Sequence, residues 1–133
     1  MILPDSSAWI EGIRGTGSGV CRALERLLAA HADIVVTEPV VMELLAGTRS
    51  PSDFLATRRR LLAFPIVRVG GLDTWERAAA VQRACRTGGE TVRSTMDCLI
   101  AAIAIREGAS LLHGDRDFDV IARHTGLRIE PLR

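Results

Sequence analysis

The chain has 133 residues, 17 basic side chains that are all arginine, 16 acidic ones and a formal charge of +1. That length suits one domain, residues 1–133, able to bury about two thirds of the surface its unfolded form would expose, and the near-neutral balance gives composition alone no argument for nucleic acid. The longest uncharged apolar run, Cys98 to Ile105, falls far short of the ~20 residues that span a bilayer; the opening Met1–Asp5 lacks the basic region of a signal peptide, so a cytoplasmic protein without a membrane partner is expected.

The predicted elements alternate. Ile2–Pro4 reads as a strand that stops at Asp5, and Ser6–Arg14 as a helix with Trp9, Ile10 and Ile13 on one side. After a glycine-rich loop, Val20, Leu24, Leu27 and Leu28 recur at helical spacing. Ile34-Val35-Val36 is β-branched and suits a buried strand, and a helix begins before Pro39 and ends at Gly47. Ser50-Pro51 opens a polar helix through Arg58-Arg59-Arg60 to Leu62; the planar forks of that triplet suit phosphate, but the solvated face of a helix is the simpler account of them. Ile66–Val69 is a strand, Gly70-Gly71 leads into a helix reaching Thr87, and Ser94–Arg106 is a very apolar helix. Ser110–Leu112 is a strand, Asp117–His124 a helix and Leu127–Ile129 a closing strand. The expectation is an α/β fold of three layers, with a central parallel sheet of about five strands flanked by helices and joined by right-handed crossovers.

Asp5, Glu43, Asp97 and Asp115 each lie at the edge of an apolar segment. In an open parallel sheet, ligands bind beyond the carboxyl ends of the strands, where strand order reverses. Asp5 and Asp115 follow strands, while Glu43 and Asp97 project from helices that can face the same crevice. Clustered carboxylates repel one another unless a cation is present, and hard divalent cations take oxygen ligands. Each acid also has a plainer reading: Asp5 and Asp115 as helix caps, Ser94-x-x-Asp97 as a capping box with Asp for Glu, Glu43 as an ordinary exposed position.

Other chemistries are excluded by spacing. Counted from Asp115, a calcium loop would place Val120 where Gly is needed and Gly126 where the bidentate Glu belongs. Asp5-Ser6-Ser7 lacks the second Asp of an aspartyl-phosphate enzyme, and no glycine-rich phosphate loop with Lys exists. His31, His113 and His124 are scattered, which argues against zinc; His113 reads as the end of a strand and His124 as a helix-surface residue. Cys21, Cys85 and Cys98 form no C-x-x-C pair and are expected to be reduced and mostly buried.

Taken in order, Asp5-Ser6-Ser7-Ala8-Trp9, Glu38-Pro39-Val40-Val41-Met42-Glu43-Leu44, Arg93-Ser94-Thr95-Met96-Asp97-Cys98-Leu99-Ile100-Ala101 and His113-x-Asp115-x-Asp117-Phe118 resemble the PIN-domain family, specifically its VapC-type toxins. The resemblance covers the whole chain. It implies a PIN-like fold and a magnesium- or manganese-dependent endoribonuclease, encoded beside an antitoxin protein that inhibits it, and a homodimer. By position, Asp5, Glu43, Asp97 and Asp115 match the family's catalytic acids, and Asp5, Asp97, Asp115 and Asp117 its metal ligands. Ser7 matches a hydroxyl that orients the first Asp. Arg14, Arg49 and Arg93 are candidates for contacts to the RNA backbone. Two departures stand out: Ser6 replaces the more usual Thr, and Pro4 forfeits one ladder hydrogen bond just before Asp5. The rival reading is a PIN-like module that binds RNA or protein without cutting it, and a flavodoxin-like small-molecule domain ranks third.

Overall fold

The computed structural model describes all residues from Met1 to Arg133. Five short strands alternate with seven helices: β1 (Ile2–Pro4), α1 (Ser6–Arg14), α2 (Gly19–Ala29), β2 (Val36–Thr37), α3 (Glu38–Ala46), α4 (Pro51–Leu61), β3 (Ile66–Val67), α5 (Leu72–Thr87), α6 (Thr95–Glu107), β4 (Ser110–Leu112), α7 (Asp117–His124) and β5 (Arg128–Ile129). Local chemistry sets most boundaries. Ser18, Ser50 and Ser94 cap α2, α4 and α6 by accepting a backbone N–H three residues on, and Gly15 and Gly108 close α1 and α6 in the left-handed conformation that glycine adopts without strain.

All strand pairing is parallel. β1, β4 and β5 form one sheet in the order β1-β4-β5, β2 pairs with β3, and a single bridge between Ile2 and Ile34 joins the two sets. The strands therefore lie in the order β3-β2-β1-β4-β5, and the direction of travel reverses between β1 and β4. Right-handed crossovers place connections that run in opposite directions on opposite faces, which agrees with the packing of α1 on α2 and α3, of α3 on α4, and of α5 on α6 and α7. α3 also touches α6, where the two groups meet.

The single bridge between β1 and β2 has a cause in the sequence. Ile2 exchanges backbone hydrogen bonds with this neighbour: its N–H donates to Asp33 O at 2.8 Å and its carbonyl accepts from Val35 N at 2.9 Å. Pro4, two residues on, turns its nitrogen the same way and has no N–H to give, so the ladder ends there. Asp5 N–H instead donates to Leu112 O at 3.0 Å. The expected loss thus falls on the β2 side and leaves Asp5 anchored to β4.

The strand expected over 66–69 is shorter. Glu38 takes the Val69 N–H at 2.8 Å, and Arg106 donates to the carbonyls of Val69 and Arg68 at 2.5 and 2.6 Å. Side chains thus capture the groups a longer ladder would use. The strand expected over 34–36 likewise shifts, pairing through Val36–Thr37 with Ile66–Val67.

Leu3, Trp9, Val36, Ile100, Leu111 and Phe118 are among the core residues packed between the layers, and each fully buried aliphatic of this kind contributes about 1.5–3 kcal/mol. α6 is buried continuously from Cys98 to Ala104, as expected of a helix apolar on all sides. Helix α1 differs from expectation: Trp9 is buried, whereas Ile10 and Ile13 are exposed, because only the face carrying Ala8 and Trp9 meets the core. All three cysteines are free and buried. Arg58, Arg59 and Arg60 lie exposed along α4, and no helix is long and apolar enough to cross a membrane.

Candidate active site

The reversal of strand order between β1 and β4 opens a crevice at their carboxyl ends, the position at which such sheets bind ligands. Asp5 enters it directly after β1 and Asp115 shortly after β4. α6 delivers Asp97 from its first turn, α7 delivers Asp117 as its first residue, and α3 delivers Glu43.

Asp97, Asp115 and Asp117 come closest together, each offering one carboxylate oxygen within 4.8 Å of the others. Asp5 and Glu43 stand outside this trio for identifiable reasons. Asp5 caps α1: its Oδ1 accepts from Ala8 N–H at 3.0 Å and from Ser7 Oγ at 2.6 Å. Glu43 Oε1 accepts from Ser6 Oγ at 2.7 Å. The capping reading therefore holds for Asp5, and in part for Asp115, whose Oδ1 accepts from Asp117 N–H at 3.0 Å. It fails for Asp97. Ser94 Oγ accepts from Asp97 N–H at 3.1 Å, but the Asp97 carboxylate returns no bond and is left facing the other acids.

The electrostatics ties all five together. Burial raises the Asp97 carboxyl, and the charges of Asp115, Asp5, Glu43 and Asp117 raise it further, to about 7. Asp5 is also raised, chiefly by burial and further by the charge of Asp115, against the lowering effect of its bonds to Ser7 and Ala8. A group of acids held in this state favours a bound cation, and its donors are all oxygen, which fits a hard divalent ion of the magnesium or manganese kind. The residues present fit such an ion: Asp97, Asp115 and Asp117 form the nearest set, with Asp5 and Glu43 completing the field.

Ser7 lies beside Asp5 and donates its hydroxyl to that carboxylate. Two polar partners were not legible as such in the sequence. Ser6, notable there only as a replacement for Thr, binds Glu43 across 37 positions. His113 lies buried beside the site rather than merely closing a strand. Its polar run with Asp115 and Asp117 carried the only available signal. His124, expected on a helix surface, is mostly covered and bonded to Glu90. Of the arginines, Arg14 and Arg49 line a groove of about 540 Å³ beside Glu43, walled by Ile10, Ile13 and Leu44; Arg93 is exposed just ahead of the α6 cap.

Fold and site together define an α/β protein with an acidic centre at its topological switch point. A family model for the PIN domain matches residues 2–124. At 45% identity over 134 residues, covering 100% of both chains, the sequence is similar to the VapC ribonuclease Mb1587 of Mycobacterium bovis and to Ribonuclease VapC11 of Mycobacterium tuberculosis. The chain belongs to the PIN domain family, in its VapC branch. Its fold is also that of VapBC2 from Rickettsia felis, solved bound to a DNA fragment from its promoter, with a TM-score of 0.75, 20% identity and 98% of each chain covered.

Proposed function

We propose that residues 1–133 act as one domain, a cytoplasmic magnesium- or manganese-dependent endoribonuclease that is the toxin of a toxin-antitoxin pair. The observation that carries this reading is the trio Asp97, Asp115 and Asp117, whose oxygens converge within 4.8 Å at the carboxyl ends of the strands. Two kinds of relative support it: the ribonucleases at 45% identity and the VapBC and toxin-antitoxin complexes that share the fold.

Asp97, Asp115 and Asp117 hold the cation, with Asp5 and Glu43 facing it across the crevice. When bound, the ion supplies an activated water and neutralises charge developing on the phosphoryl oxygens. Ser7 keeps the Asp5 carboxylate turned toward the site, and Ser6 does the same for Glu43. The RNA backbone lies along Arg14 and Arg49 on one side of the acids and Arg93 on the other, since phosphate contacts position RNA while exposed bases specify it. The bond broken is that between phosphorus and the ribose 3′ oxygen.

The antitoxin occupies the groove lined by Ile10, Ile13 and Leu44 with an amphipathic helix, and a basic side chain from it enters beside Glu43 and competes with the cation. A homodimer forms across the separate exposed face of Met42, Leu72 and Trp75, next to Pro39, Met96 and Leu99. Large apolar side chains left in solvent at one place mark such an interface.

Cleavage of a labelled RNA pool with magnesium, manganese or EDTA, beside Asp97→Asn protein prepared identically, tests the assignment. Discrete products that require metal and vanish in the variant are expected. Equal products from the variant would overturn it.

A further inference from the structure

The roles assigned above leave His113 and Asp119 unused, yet both ring nitrogens of His113 are committed. Nδ1 lies 3.1 Å from the backbone nitrogen of Asp115, and Nε2 lies 3.0 Å from Asp119 Oδ1. A backbone amide can only donate, so Nδ1 accepts with its lone pair and the ring proton sits on Nε2, pointed at Asp119. The ring also packs on buried Phe118, with centroids 5.5 Å apart and planes at 47°. It is therefore held in both rotation and tautomer.

The turn that His113 grips is also gripped from the other side. Ser7 Oγ accepts from Gly114 N–H at 2.9 Å while donating to Asp5 Oδ1, and a Cβ at Gly114 would come within 3.2 Å of Val20, so the turn has little room to shift. Asp115 in turn accepts from Asp117 N–H. One line of hydrogen bonds thus runs from Asp119 through His113 to the backbone of Asp115 and on to Asp117.

We propose that His113, oriented by Asp119, is a positioning residue that fixes the backbone of Asp115 and so sets the carboxylate oxygens that Asp115 and Asp117 present to a divalent cation. This rests on the metal site proposed above. Partners of this kind, one step removed from an ion, typically alter its affinity by about 10–100-fold when lost.

The test compares His113→Leu, which keeps apolar contact with Phe118 but offers no acceptor, with His113→Asn, whose side-chain carbonyl can take over from Nδ1. Calorimetry with manganese alone should show affinity reduced about 10–100-fold in His113→Leu and largely restored in His113→Asn. Melting temperatures should run the other way, because a buried amide is the costlier core residue. A purely structural histidine would instead make both measurements follow the same order. Asp119→Ala, at a side chain that is 55% exposed, keeps the fold and should weaken manganese binding, whereas Asp119→Asn keeps an acceptor and should not. Nitrogen-15 NMR of the imidazole should show the proton on Nε2. A proton on Nδ1, or equal manganese affinity in wild type and His113→Leu, would overturn this inference alone. Wild-type protein that binds no manganese would overturn both the metal site and the positioning role built on it.

Discussion

Two carboxylates at opposite ends of one region of the fold are treated in opposite ways. Asp97, at the start of α6, is raised to about 7 by burial and by four neighbouring acids. Glu90, in the loop that leads to α6, is lowered to about 2 by hydrogen bonds from Arg123 and His124, at 2.5 and 2.8 Å. α7 links them: its first turn carries Asp117 and Asp119, and its last turn Arg123 and His124, the arrangement its dipole favours at both ends. Opposite charges meet where the chain fastens a loop to a helix. Like charges meet in the crevice at the carboxyl ends of the strands, and that gathering raises Asp97.

Neutralising Asp97 should break the contrast most severely. Asp97→Asn should lower metal-dependent cleavage by about 100-fold or more, equivalent to about 2.7 kcal/mol of transition-state stabilisation, and should remove the calorimetric signal of manganese binding. The same substitution relieves repulsion in the metal-free protein, so its melting temperature above pH 7 should exceed that of the wild type.

The pH dependence of wild-type stability sharpens the comparison. A carboxyl raised above its ordinary value of 3.8 contributes stability that is complete below that value and is lost as pH rises through about 7. Metal-free protein should therefore melt at progressively lower temperature between about pH 4 and pH 7, and saturating manganese should flatten or reverse the slope. A melting temperature that rises over this interval in EDTA would contradict the electrostatic picture of the site.

Glu90 carries the opposite sign. Its lowered value gives stability that is present above the ordinary 4.5 and is lost as pH falls toward about 2. Glu90→Gln should melt below wild type at neutral pH, with the gap closing as the solution approaches pH 2. Because this carboxylate lies at the surface, the gap should be small. Smaller still is the effect expected of Gly88→Ala. A Cβ there would approach the His124 ring to 2.3 Å, so His124 should swing away from Glu90 while Arg123 remains bound. Manganese affinity should not change in either loop variant.

Much of this arrangement was legible in the chain because it is local. Caps such as Ser50 and Ser94, the β-branched run before Glu38 and the apolar stretch of α6 announce their structure within a few residues. Asp5 and Asp115 could be placed at strand ends, and Glu43 and Asp97 on helices, from the same signals. What the sequence left open depends on partners far along the chain. Nothing near Ile10 and Ile13 distinguishes them from Trp9, and only the packing of α1 shows which side is covered. Glu90 meets Arg123 and His124 across more than thirty positions, and Asp5 belongs to its own cap more closely than to the trio because Ser7 and Ala8 reach it first. Strand β3 ends early because Glu38 and Arg106, distant in sequence, take its outer backbone groups.

The missing N–H of Pro4 also has a mechanical meaning. By stopping the ladder between β1 and β2 at one bridge, it leaves a seam in the sheet, and the five acids are divided across it. Asp5, Asp97, Asp115 and Asp117 belong to segments bordering the β1-β4-β5 piece, whereas Glu43 rides on the helix that follows β2. The Ser6–Glu43 hydrogen bond and the packing of α1 on α3 are therefore what keep the fifth acid in register with the four across that seam.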